Sequence, residues 1–236
     1  MIRSIVIAIL AVIPTIILHE LAHGYAALAM GDNTAQRAGR LSFNPLRHVD
    51  RFGTVILPLI LLVGQLVTIG RVEFMFGWAK PVPIDPSGFR DPRRGMALIA
   101  AAGPAMNFAL ALVAAFAFSR VAAPLPGLGS FGSGAVADFL LYFLLFNLVL
   151  GLFNLIPLPP LDGGRIMVGI LPLALARVYA RIEGLGILIV LLIIFILPSL
   201  LASFGIAFDP VGVLLGRVVP RIAQAFLGFA GVHVRF

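Results

Sequence analysis

The chain has 236 residues, 61% of them hydrophobic and only 11% charged, with 17 Lys and Arg against 10 Asp and Glu. A soluble fold of this length cannot hide so much apolar surface, so lipid is part of the solvent, and the length suits one helical bundle. With no cysteine there is no disulfide framework, and a transition metal has to be held by nitrogen and oxygen.

The net charge of +7 comes from arginines lying between apolar runs. That pattern fits the positive-inside bias and anionic lipid heads, and speaks against nucleic acid as a partner.

Five apolar segments follow one another, at 2–30, 54–69, 96–118, 136–156 and 185–204. A helix crossing the ~30 Å hydrocarbon core needs about 20 residues, so four are full spans. Arg3 before the first run imitates a secretory signal, but cleavage near Ala26 to Ala29 would discard the most chemically loaded residues, so it reads as a retained helix. Residues 31–53 hold turn signals and a short alternating piece at 40–43 that reads as a strand. Residues 77–94 carry four prolines and read as an irregular loop with extended pieces.

The run 124–134 is a Gly/Pro-rich loop, 165–181 a short helix with a break at Pro172, and 211–230 a helix in the membrane interface. The expected fold class is an all-α polytopic membrane protein. It has about four full spans, a re-entrant segment, an interfacial C-terminal helix and minor β-hairpin content in loops. One integral-membrane domain covers 1–236, with the core in 1–165 and accessory helices in 166–236.

The strongest chemical signal is His19-Glu20-Leu21-Ala22-His23. Positions four apart share a helix face, so both imidazoles reach one ion, and Glu20 stands beside them to take a proton from water that a metal activates. Two histidines and a carboxylate in an apolar run are costly unless something satisfies them.

A catalytic zinc site wants a third protein ligand. His48 lies in an arginine-rich loop where a solvated role fits better, and His233 is among the last four residues. Asp162 is the better candidate. It sits in Asn154-Leu-Ile-Pro-Leu-Pro-Pro-Leu-Asp162-Gly163-Gly164, where prolines forbid regular helix and glycines allow close backbone approach. Irregular backbone at membrane depth belongs where it lines a buried or watery site.

The His-Glu-x-x-His helix, Gly103-Pro104-x-x-Asn107, and Asn154 ahead of Asp162-Gly163-Gly164 together resemble the site-2 protease family of intramembrane metalloproteases, over about 18–165. The resemblance implies one zinc ion held by His19, His23 and Asp162, with Glu20 as base and Asn154 steadying substrate or oxyanion. It also implies a protein substrate cut in or near a transmembrane segment, often after an upstream protease has acted. Self-association is a further option. The chain reads as a short form without the PDZ or CBS domains of some members, so substrate selection has no dedicated module.

Asn107 reads first as a hydrogen-bonding contact across the bundle and second as a substrate contact. Lys80, in Gly77-Trp78-Ala79-Lys80-Pro81-Val82-Pro83, belongs either to a substrate-side loop or to an interfacial anchor.

The metal site constrains topology. Ser4 to His19 is about 22 Å of helix, placing His19 in the last third of its span, and Asp162 lies beyond the end of another. Both helices must then run the same way, with an odd number of crossings between them. Segment 96–118 is one crossing, so 54–69 is expected to dip and return, broken near Pro58 or Gly64. Arginines flank it on both sides, which places the site towards the cytoplasmic face of the cell membrane. The rival readings are a non-catalytic membrane scaffold and an ion or proton transporter. An intact Glu20 weighs against the first, and the lack of inverted repeats against the second.

Overall fold

The computed structural model describes residues 2–72, 77–122 and 134–232. Its centre is three packed helices: α1 (Ile2–Ala29), α3 (Pro92–Ala122) and α4 (Ala135–Asn154), with α2 (Arg51–Thr68) outside them. Among the described residues five helices are long and apolar enough to cross a membrane, these four and α8 (Pro210–Phe229), and a bent run through Leu173–Ile194 and Leu197–Ser203 makes a sixth.

Side-chain contacts fix the directions. Arg3 pairs with Asp138 at 2.7 Å near the starts of α1 and α4, and Thr15 meets Asn147 halfway along. These two helices are therefore parallel. On α3, Asn107 meets Asn147, while His23 near the end of α1 meets Ile99 near the start of α3, so α3 runs against both.

Helix α2 departs from expectation. It is unbroken: Asp50 caps its N-terminus by accepting from the N–H groups of Phe52 and Gly53, and the turns from Arg51 to Ile56 are wide. Pro58 is the second residue of the regular part, directly after the wide turns, and neither it nor Gly64 interrupts the helix. The excursion nevertheless closes. The Trp78 N–H donates to the Gly53 carbonyl at 3.2 Å, and the Thr54 hydroxyl donates to the Trp78 carbonyl at 2.7 Å. The chain is thus back at the start of α2 before α3 begins, leaving α3 as the one net crossing between α1 and α4.

A further expectation is corrected. No strand forms at 40–43 or elsewhere among the described residues. Arg40 is buried, donating to the carbonyls of Lys80 and Pro81, and this anchors the stretch as an irregular loop rather than a ladder. The tail helix α8 packs on the bundle. Val219, Ala223 and Leu227, each four residues apart, form one stripe buried against Ala111, Ala114 and Ala115 of α3 and Leu144 and Leu148 of α4. The loop expected at 124–134 lies almost wholly outside the described residues.

After α4 comes the proline-rich turn, then the short α5 (Asp162–Ile170), with Pro172 ending it and starting α6 (Leu173–Ala180). Arg93, at the start of α3, donates to the carbonyls of Val168 and Leu171 and ties α5 to the bundle.

Because α2 starts and its return ends at one place, single cysteines replacing Arg47 and Arg90 should be labelled from the same side of the membrane. Opposite sidedness to an impermeant thiol reagent refutes this arrangement.

Candidate metal centre

His19, Glu20 and His23 occupy the last third of α1, and Asp162 is the first residue of α5. His19 Nε2 and His23 Nε2 lie 3.1 Å apart, and Asp162 Oδ2 is 3.1 Å from the first and 3.2 Å from the second. All three residues are buried.

The other ring nitrogens identify which protons are where. His23 Nδ1 is 2.7 Å from the Ile99 carbonyl, which only accepts, so Nδ1 carries the proton. His19 Nδ1 is 2.5 Å from Asn107 Oδ1, again an acceptor. In the neutral ring each imidazole therefore has its Nε2 lone pair directed towards the other and towards a carboxylate oxygen. Asp162 Oδ2 is buried with no hydrogen-bond donor. Three electron-rich atoms in mutual contact repel one another unless a cation lies among them.

A metal ion fits this set. Tetrahedral zinc with bonds of about 2.0–2.1 Å separates its ligand atoms by about 3.3–3.4 Å. The observed triangle is only slightly tighter. His19, His23 and Asp162 are the group among the described residues able to hold an ion, and three protein ligands leave a position open for water or substrate.

Backbone economy brings the groups together. A Cβ on Gly103 would stand 2.5 Å from His23 Nε2 and 2.6 Å from His19 Cε1, so α3 can approach the imidazoles only as glycine. A Cβ on Gly163 would collide with the carbonyls of Leu155 and Ile156, so glycine lets α5 begin directly on the turn that ends α4. That collision-free contact carries Asp162 back to the histidines.

A cavity of about 530 Å³ opens beside the centre, bounded by His19, His23, Asp162, Glu20, Asn154 and Arg165, and by residues 77–79, 81 and 82. Glu20 is half-buried on its wall and accepts the Val82 N–H at 3.2 Å. That stretch is tied down elsewhere too: the Lys80 N–H donates to the His48 carbonyl at 2.8 Å, and the Asp85 N–H to Asp32 at 2.9 Å. Burial pushes the Asp32 carboxyl up, but hydrogen bonds from Thr34 and Asp85 outweigh it and hold the group below the usual carboxylate range.

The other expected residues fall as follows. Asn154 faces the cavity but its amide donates to the Leu150 carbonyl of its own helix at 3.1 Å. Asn107 is fully buried and outside the cavity lining, with its oxygen on His19 and its amide nitrogen on Asn147, so it is a cross-bundle contact and not a substrate contact. The exposed Lys80 is outside the lining as well, although its neighbours Ala79 and Pro81 belong to it. His48 is buried, not solvated, and donates to the Ser42 carbonyl at 2.7 Å. His233 lies outside the described residues. Sequence reasoning missed Thr15, Asn147 and Arg165; the first two were visible only as polar residues inside apolar runs.

A polytopic helical bundle that buries two lone-pair-presenting histidines and an aspartate beside a glutamate-walled cavity defines a membrane-embedded metallohydrolase. The chain belongs to peptidase family M50, whose model matches residues 7–197, and is an intramembrane zinc metalloprotease. It is 39% identical to YwhC of Bacillus subtilis over 80% of each chain, and 28% identical to Rip2 of Mycobacterium tuberculosis over 78% of this chain and 64% of that one. Both relatives are provisionally named zinc metalloproteases. No solved structure matches the chain.

Gly103→Ala should weaken zinc binding by about 10- to 100-fold, the range seen when the surroundings of a ligand are disturbed. Gly64→Ala, in open space on α2, should leave it unchanged. Chelator competition on the purified proteins measures both.

Proposed function

We propose that the chain hydrolyses peptide bonds in or beside transmembrane segments of other membrane proteins, with His19, His23 and Asp162 holding one zinc ion and Glu20 acting as the base. The observation that carries this reading is the contact among three buried electron-rich atoms with a carboxylate one residue away on the same helix. A zinc ion in that place supplies Lewis acidity, polarising a carbonyl and lowering the pKa of water to about 7.

Glu20 takes the proton of the attacking water and hands it to the departing nitrogen, which keeps both charge-separated steps short. Its carboxylate is oriented for this by the Val82 N–H, which holds one oxygen. Asn154, on the cavity wall, has an amide that can turn from the Leu150 carbonyl to a substrate oxygen as negative charge develops there. The apolar part of the lining, including Ile16, Ile99, Phe153 and Val190, suits a hydrophobic peptide and limits water.

A helical peptide bond is shielded by its own turn, so substrate unwinds locally before attack. The site lies near the end of α1, next to the loop bearing Arg37, Arg40 and Arg47, and by the positive-inside bias it faces the cytoplasmic side of the cell membrane. An upstream protease that shortens the substrate, or a second copy of the chain, are the further partners of this reading.

With purified protein and a panel of single-span substrates, Glu20→Gln should lower cleavage by about 10²- to 10⁴-fold, the usual worth of a positioned base, with zinc content retained. Chelation should abolish wild-type cleavage and added zinc restore it. Equal processing by wild type and Glu20→Gln removes Glu20 from the chemistry.

A further inference from the structure

A line of side chains runs from the centre into the middle of the bundle. The Thr15 hydroxyl donates to the Ala11 carbonyl at 2.9 Å; the Asn147 amide donates to Thr15 Oγ1 at 3.0 Å and to the Phe143 carbonyl at 2.8 Å; the Asn107 amide donates to Asn147 Oδ1 at 2.9 Å; and His19 Nδ1 donates to Asn107 Oδ1 at 2.5 Å. Thr15, Asn107 and Asn147 are each completely buried.

The direction of every bond in this line is forced. A backbone carbonyl only accepts, so the single Thr15 proton points at Ala11, and Thr15 can only accept from Asn147. The Phe143 carbonyl makes the same demand on the same amide nitrogen. Asn147 must therefore turn its oxygen to Asn107, which answers with its nitrogen and is left with its oxygen facing His19. Against that oxygen His19 Nδ1 must bear a proton, so the neutral ring has its lone pair on Nε2, the atom facing His23 and Asp162. A flipped amide anywhere would set donor against donor or acceptor against acceptor where no water enters.

We propose that Asn147 and Thr15 are positioning residues for the zinc centre: they set the amide orientation of Asn107 and through it the tautomer and ring angle of His19. This rests on the assignment of His19 as a zinc ligand. His23 needs no such line, since it donates directly to a backbone carbonyl that cannot flip. The two histidines are thus prepared by different means, one by a carbonyl of α3 and one by an ordered relay across α4 and back to α1.

The test uses the full chain in detergent or nanodiscs, with zinc affinity read by chelator competition and stability by thermal unfolding. Asn147→Leu should lower zinc affinity about tenfold, the lower end of the range for outer partners of a ligand. Thr15→Val should lower it less, and Thr15→Ser, which keeps the hydroxyl, should restore it. Leu148→Ala empties a neighbouring site on α4 that packs in the apolar cluster with α3 and α8, so it should cost stability and leave zinc affinity unchanged.

Wild-type affinity in a folded Asn147→Leu overturns the proposal, as does an equal loss in Leu148→Ala at matched thermal stability. Should Asn147→Leu fail to fold, the Thr15 pair decides: Thr15→Val with wild-type affinity overturns it, and loss recovered by Thr15→Ser sustains it. If His19→Ala itself leaves affinity unchanged, the ligand assignment has failed, and the relay is not what went wrong.

Discussion

The convergence of two imidazoles and one carboxylate inside the bundle constrains the rest of this structure. His19 Nε2, His23 Nε2 and Asp162 Oδ2 stand 3.1–3.2 Å apart. Buried together, three such atoms need positive charge among them, and a cation placed there satisfies all three at once.

Chain topology follows from that cluster. His19 and His23 come from α1 and Asp162 from the turn beyond α4, so their convergence needs these helices parallel, and the contacts Arg3–Asp138, Thr15–Asn147 and His19–Asp162 show them side by side. Helix α3 fills the gap between them in the opposite direction and supplies the two acceptors that hold the histidines. Helix α2 and its return add no net crossing. The helices after α5 complete the bundle from outside, with α8 sealing α3 and α4 around the apolar cluster.

Much of this was legible in the chain because the strongest constraints are local or simple to count. Four-residue spacing put His19 and His23 on one face, the proline- and glycine-rich turn marked Asp162, and the parity of crossing followed from joining them. What escaped depends on distant partners. The alternation at 40–43 resembles a strand, yet Arg40 is claimed by carbonyls forty residues away. Pro58 looked like a break, but the helix has already begun at Arg51 under the Asp50 cap and runs on through it. The run 211–230 read as a helix, but which face it buries depends on partners of Val219, Ala223 and Leu227 that lie more than seventy residues earlier. A lone Thr15 or Asn147 says only that something polar is buried; which face it occupies, and whom it meets, appears once three helices are in place.

At Gly103 the backbone of α3 lies directly against the edges of both imidazoles, with no side chain of its own between. A tilt of either span would press on the two rings with nothing soft in the gap to absorb it.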